Sequence, residues 1–360
     1  MPYVLTPFHR TLQFAFDART SRGAMQVHQA HYVRVHHTDL PEKVGWGECS
    51  PLPGLSPDYS PDFFALLTRL CHQYNALESD SFEDEAGFAF WKNLEQWPSI
   101  NFAFETAFVD YMRGANFQLY PSAFSKSEEG IRINGLIWMG APAFMRKQIE
   151  KKLAQGFTCL KLKIGGLDFS QELGILEEIR KMATPRELEL RLDANGAFSP
   201  SDALGKLDQL SKFDIHSIEQ PIKAGQEKEM KELCLRSPIP IALDEELIGV
   251  NQKENRWKLL DAIKPAYVIL KPTLLGGLTG SREWIQVAQS LGIDWWMTSA
   301  LESNIGLNAI AQFAASFNNP LPQGLGTGQL YHNNLASPLE IRGEELWYSK
   351  TAAWELPVSE

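Results

Sequence analysis

The sequence predicts an α/β fold, a parallel barrel of βα units preceded by an α+β domain. Five short strand-like runs in its second half each end in charge: Lys161 and Lys163 in CLKLKIGG, Asp193 in LRLDANG, Glu219 in SIEQP, Asp244 in IALDEE and Lys271 in VILKPT. From Lys163 onward these charges are 30, 26, 25 and 27 residues apart. Each gap fits one strand, one helix and two connections, so each charge closes one βα unit. The first 130 residues read differently, with strands first and helices after. At 360 residues the chain can hold a barrel and one more domain.

Taken in order, Thr11–Phe16 and Gln26–His36 read as antiparallel strands joined by a polar loop, Asp17–Met25, and Val44–Cys49 reads as a third strand. Helical patterns follow at Pro61–Glu78, Phe82–Leu94 and Asn101–Arg113. Ala115–Gly130, bearing Pro, Ser and Gly, is the crossover. Arg132–Trp138 is then the first barrel strand, the lysine pair lies on the second, the carboxylates on the third to fifth, and Lys271 on the sixth. Trp295 and Trp296 precede the end of the seventh and read as packing residues. Ser337–Trp347 has strand character again and is expected to return to the N-terminal domain. The division is 1–125 with 335–360 for that domain and 126–334 for the barrel.

The C-terminal ends of barrel strands carry the chemistry. Residues two apart on a strand point the same way, so Lys161 and Lys163 face one side while Leu160, Leu162 and Ile164 face the other. Neighbouring strands lie roughly 4.8 Å apart, which lets three successive strand ends converge on one ion. Asp193, Glu219 and Asp244, with no His or Cys beside them, make an all-oxygen set suited to Mg²⁺ or Mn²⁺. Strands two and six of eight are opposed, so the ion would sit between ammonium groups. Removing a proton next to a carboxylate creates an enediolate, which a divalent cation stabilises while a lysine takes the proton. Free lysine titrates near ~10.4 and a useful base near ~7–8, a difference worth about 4 kcal/mol. A second ammonium two residues away and a nearby metal push in that direction, so Lys161 is expected to tune Lys163. Singly, each of these residues reads as a solvated edge charge, a turn residue or a helix cap; six in one phase of successive units do not.

The order KLK, DAN, EQP, DE, KP resembles the enolase superfamily, within it the muconate-lactonizing subgroup, over most of the chain. The resemblance implies a modified (β/α)8-type barrel, (β/α)7β, and an α+β capping domain at the N-terminus. It implies that Lys163 is the acid/base, that Lys271 faces it across the metal with Lys161 assisting, and that Asp193, Glu219 and Asp244 are the metal ligands. VGWGECSPLPGLSP, ALDEELIG, KPTLLGG and TSALESNIG look like the o-succinylbenzoate synthase family, lyases of menaquinone biosynthesis. That likeness implies a small carboxylate substrate touched by Asn195, Thr298, Ser299, Gly326 and Thr327. Dipeptide epimerases of the subgroup carry Asp-x-Asp at the eighth strand end, where this chain reads GLGTGQ. Muconate cycloisomerase, dipeptide epimerase or N-acylamino acid racemase activity and a non-catalytic metal-binding barrel are the alternatives. Two cap segments are expected to close the site, Asp17–Met25 with Arg22 and Gly23, and Ser50–Ser56 with Gly54.

Composition narrows the partners. A net charge of −10 without a basic run disfavours nucleic acid and anionic membrane surfaces. MPYVLTPFHRTLQF has no apolar core of a signal peptide and no span approaches membrane length, so a cytoplasmic protein is expected. Cys49, Cys71, Cys159 and Cys234 lack metal-ligand spacing and read as packing residues. The histidines show no zinc pattern, and His28, His31, His36 and His37 read as ordinary strand alternation.

Overall fold

The computed structural model describes residues 2–20, 23–77 and 85–357. The chain opens on an antiparallel sheet of β1 (Tyr3–Thr20), β2 (Gly23–His37) and β3 (Leu40–Cys49), in that order. The expected polar loop over Asp17–Met25 is largely the far end of this ribbon, since Ala18 pairs with Met25 and Thr20 with Gly23. The apolar side of the ribbon explains the difference: Phe14, Phe16, Ala18 and Met25 pack with Trp138 of the barrel, so the strands keep a buried face beyond Phe16. Arg22 lies outside the described residues. His28 and His31 are both buried, and His31 packs against Phe63 and Phe64.

Helices α1 (Phe63–Asn75), α2 (Glu85–Asn93) and α3 (Pro98–Met112) follow; Phe82, the expected start of the second, is outside the described residues. Pro98 sits in the first turn of α3, where its missing N–H costs nothing. α3 lies directly on β3 because Gly45 and Gly47 present no side chain to it. A Cβ on Gly47 would stand 1.9 Å from the Ala103 carbonyl oxygen, and one on Gly45 2.2 Å from that of Ala107. The GWGE motif is thus a close-approach device.

The second half alternates strand and helix: β4 (Ile131–Arg132), β5 (Gly135–Ile137), α4 (Pro142–Ala154), β6 (Cys159–Lys163), α5 (Phe169–Met182), β7 (Glu189–Asp193), α6 (Pro200–Leu210) and β8 (Ile215–Glu219). It continues with α7 (Glu227–Arg236), β9 (Ile241–Leu243), α8 (Lys253–Ile263), β10 (Tyr267–Leu270), α9 (Gly277–Ser290), β11 (Asp294–Met297) and α10 (Asn304–Ala315). β5 to β11 form one parallel sheet in sequence order, so they are the first seven barrel strands. Seven helices and an eighth strand reduced to two single bridges, Ile133 to Gln323 and Thr298 to Gly324, complete a (β/α)7β barrel. At this seam a Cβ on Gly324 would lie 2.3 Å from Thr298 Oγ1. The Gln323 side chain replaces missing ladder bonds, accepting from Met297 N at 2.8 Å and donating to Leu321 O.

Two expectations change here. Arg132–Trp138 is not one strand: Ile131–Arg132 pairs with β13 (Glu345–Tyr348), whereas Gly135–Ile137 pairs with β6. The chain switches partners because Ile133 N bonds Glu344 O and Asn134 N bonds Gln323 O. The strands of Ser337–Trp347 do not join the N-terminal sheet either; β12 (Leu339–Arg342) pairs with β13, which pairs in turn with β4. Contact with the N-terminal domain comes from flanking residues, with Tyr331 against Phe14, Trp354 stacked on Phe117 and Glu355 paired with Arg10.

Inside the barrel, charges stack in layers. Lys163, Asp193 and Glu219 share one register level, and Lys161, Arg191 and Ser217 the level below. Arg191 seals the floor, with its guanidinium 4.1 Å from the Trp296 ring centroid and paired with Glu189. Of the two tryptophans, Trp296 thus faces inward while Trp295 packs on Phe317. All four cysteines are free thiols. Among the described residues no helix is long and apolar enough to cross a membrane.

Glu48 of β3 locks the two parts together. Fully buried, it accepts from Ser303 N at 2.7 Å, Ser303 Oγ at 2.5 Å, Gly306 N at 2.7 Å and Ser50 Oγ at 2.6 Å, closing the N-terminus of α10. Burial pushes its carboxyl up from 4.5 to about 7, against the hydrogen bonds that pull it down. The folded state therefore binds this proton more tightly than the unfolded chain. Stability should fall as pH rises from about 4.5 through about 7 and level off above. Glu48→Gln should flatten that slope. Thermal melts at pH 5 and pH 8 check it, and an unchanged melting-temperature difference would refute it.

Candidate active site

The ends of β6 to β10 bring all six expected chemical residues into one buried cluster. The Lys161 ammonium bridges Asp193 Oδ2, at 3.1 Å, and Glu219 Oε2. Lys163 Nζ donates to Asp193 Oδ2 at 3.0 Å and to Asn195 Oδ1 at 2.9 Å, with the Trp138 ring centroid 6.0 Å away. Lys271 Nζ pairs with Asp244 and stands 3.9 Å from Glu219 Oε1. Lys163 and Lys271 thus approach the carboxylates from opposite ends, as a pair on strands two and six must.

The electrostatics follow from this pairing. Burial alone would raise Asp193, yet Lys161, Lys163 and Lys271 hold its carboxyl well below the ordinary range. Burial likewise opposes ionisation of Asp244, which Lys271 overcomes. Glu219 moves the other way: burial raises it, and Asp193 beside it adds to the rise. Although Lys161 touches both Asp193 and Glu219, Glu219 stands between two other carboxylates and is the last to ionise. Burial disfavours the charge on Lys161, but Asp193, Glu219 and Asp244 outweigh it and raise its pKa.

Among the described residues no three His, Cys, Asp or Glu side chains are arranged to hold an ion. Instead of converging on one point as expected, the carboxylates are each engaged by an ammonium group. The donor set nevertheless fits a divalent cation. It is all oxygen, Asp193 and Glu219 already share one positive centre in Lys161, and Glu219 Oε1 is buried without a hydrogen-bond partner.

A cavity of about 440 Å³ opens over this cluster. Asn195, Thr298, Ser299, Gly326 and Thr327 all line it, together with the three lysines and Asp193. The N-terminal domain contributes Gly23–Val27, Leu52, Pro53 and Leu55. The sequence reading missed Asn134, Leu136 and Trp138 in the wall, because the split of the first barrel strand hid where its end lies. Period-2 alternation puts Asn134, Leu136 and Trp138 on one face, and that parity is the signal that could have found them. Gln148 clamps Trp138 there, accepting from its N at 2.9 Å and donating to its O at 3.0 Å. Gln220 was also missed; its side chain accepts from Asp244 N and donates to Glu246, bracing the loop that carries Asp244. Asn195 is braced likewise, its Nδ2 donating to Glu245 Oε1 at 3.1 Å.

A (β/α)7β barrel beneath an antiparallel cap, with lysines and carboxylates on successive strand ends, defines an enzyme of the enolase superfamily, a class that depends on a divalent metal. The model of the enolase C-terminal domain-like family matches residues 144–350. More narrowly, the chain belongs to the o-succinylbenzoate synthase family. It is 46% identical over 354 residues to o-succinylbenzoate synthase of Desulfotalea psychrophila, covering 92% of this chain and 95% of that one. The crystal structure of MenC from the same organism superposes with a TM-score of 0.80 at 42% identity, over 96% of this chain and 100% of that one. A dipeptide epimerase from Enterococcus faecalis, solved with Mg and the dipeptide L-Leu-L-Tyr, shares the fold at a TM-score of 0.82 and 19% identity, over 98% of each chain.

Proposed function

We propose that this chain dehydrates 2-succinyl-6-hydroxy-2,4-cyclohexadiene-1-carboxylate to o-succinylbenzoate in the cytoplasmic pathway to menaquinone. The observation that carries the reading is the charge of the cavity. Among its described residues the wall holds three lysines and a single carboxylate, Asp193, which Lys161 and Lys163 already engage, so it suits an anionic substrate better than a substrate ammonium. The glycine and threonine turn Gly324–Thr327 stands where epimerases of the subgroup carry acids.

Asp193, Glu219 and Asp244 would hold Mg²⁺ or Mn²⁺. When bound, that cation neutralises charge developing on the substrate carboxylate. Lys163 removes the α-proton, and its conjugate acid protonates the hydroxyl leaving from the same face, so water departs and the ring becomes aromatic. Lys271, on the other face, stabilises the enediolate through its charge. Lys161 holds positive charge beside Lys163 and keeps Asp193 ionised. Asn195, Thr298, Ser299, Gly326 and Thr327 hold the substrate's other carboxylate by hydroxyl, amide and backbone donors. The cap segments around Gly23–Val27 and Leu52–Leu55 exclude water from the dry site.

Incubating the purified protein and Mg²⁺ with the hydroxycyclohexadiene dicarboxylate should consume its absorbance and yield one o-succinylbenzoate and one water per molecule. A protein that exchanges the α-proton of N-acylamino acids or dipeptides, yet leaves this substrate intact, would overturn the assignment.

A further inference from the structure

We infer that Glu302, outside the proposed catalytic and metal-binding sets, is a positioning residue that makes Ser299 a hydrogen-bond donor to the substrate and fixes its loop against the one carrying Lys271. The inference rests on the substrate-wall reading above. Glu302 lies between β11 and α10, fully buried and away from the cavity wall. Its Oε1 meets Thr273 Oγ1 at 2.6 Å and its Oε2 meets Ser299 Oγ at 2.5 Å. Thr273 is two residues beyond Lys271, and Ser299 lines the cavity. One carboxyl group therefore joins the ends of the sixth and seventh barrel strands. Its backbone is anchored as well, because Glu48 grips the next residue, Ser303, through both N and Oγ.

Two hydroxyls around one buried carboxyl can be satisfied in two senses. An ionised carboxylate takes both protons; Ser299 Oγ, which already accepts from Leu301 N at 3.1 Å, then offers a ligand only a lone pair. A neutral carboxyl instead donates one proton to Ser299, whose own proton becomes free for an anion. An anionic substrate needs the second sense. Burial favours it by raising the Glu302 carboxyl, against the pull of Ser299 and Thr273.

Glutamine at this position has the same shape and is permanently neutral, so its amide can donate to Ser299 while its carbonyl accepts from Thr273. Glu302→Gln is expected to keep KM within about threefold of wild type. Glu302→Ala and Ser299→Ala should each raise KM by about tenfold with a smaller effect on kcat, as loss of one hydrogen bond shared by ground and transition states implies. The double variant should be no worse than about the larger single effect. Calorimetric titration with o-succinylbenzoate should show the same order. A KM for Glu302→Gln as poor as that for Glu302→Ala, or fully additive losses in the double variant, would overturn the inference. If the alanine variant does not fold, Glu302→Gln against Ser299→Ala decides alone, since the first must bind as wild type and the second must not. A wild-type protein that fails to turn the substrate over fails the functional reading instead, which separates the two outcomes.

Discussion

Lys163→Ala is expected to abolish dehydration, with kcat reduced by about 10³-fold or more, since one side chain is asked both to take the α-proton and to return it to the departing hydroxyl. Lys163→Arg should fail equally, because a guanidinium stays protonated and cannot accept the proton. The geometry makes arginine a fair control. Lys163 Nζ lies between Asp193 and Asn195, so a permanent cation could keep the electrostatic contacts while losing the chemistry. Lys271→Ala should also be severely impaired, by about 10²–10³-fold, through loss of a cation in a dry site. Stopped assays on folded variants, checked by circular dichroism, separate the roles. Appreciable turnover by Lys163→Arg would show that Lys163 is only an electrostatic partner and would move the base to Lys271.

The second large effect concerns the carboxylates. Asp193→Asn, Glu219→Gln and Asp244→Asn should each weaken Mg²⁺ binding and remove activity, one charge of the cluster being lost per change. Each of the three also neutralises a buried lysine, Asp193 at Lys163, Glu219 at Lys161 and Asp244 at Lys271, and a lysine left unpaired is costly to the fold. Glu219→Gln is the mildest of the three for the fold, since Asp193 still holds the Lys161 ammonium at 3.1 Å. Calorimetric titration with Mg²⁺ measures the effect. Unaltered affinity in two of the three variants would sink the proposed metal site.

The barrel was legible because charges at strand ends recur in one phase with βα spacing, and because a side chain's direction on a strand follows from parity alone. Lys161, Lys163, Asp193 and Glu219 stand on the strands that rhythm assigns, with Asp244 and Lys271 just past theirs. What parity cannot show is hydrogen-bond partnership. Nothing local marks Ile131–Arg132 as leaving the barrel, since the deciding partners, Glu344 and Gln323, are about two hundred residues away. The segment Asp17–Met25 reads as a loop because polar residues crowd it in sequence, while the apolar side that makes it a ribbon is satisfied by Trp138 from another part of the chain. Glu302 and Gln220 escaped notice for a related reason. Their importance lies in bonds to residues on other strands, whereas in sequence each is one polar residue near a turn.

The seam of the barrel has a consequence for ligand binding. A cylinder held shut by two single stitches has its weakest hoop there, and the stitches lie at Gln323 and Gly324, beside Thr298, Gly326 and Thr327. Opening of the hoop at this point would act directly on the cavity wall, since Thr298, Gly324, Gly326 and Thr327 all line it. In the proposed pose the substrate reaches across both lips of the seam and acts as a third stitch. Occupancy and closure are then one equilibrium, so the cylinder is tightest when it is working.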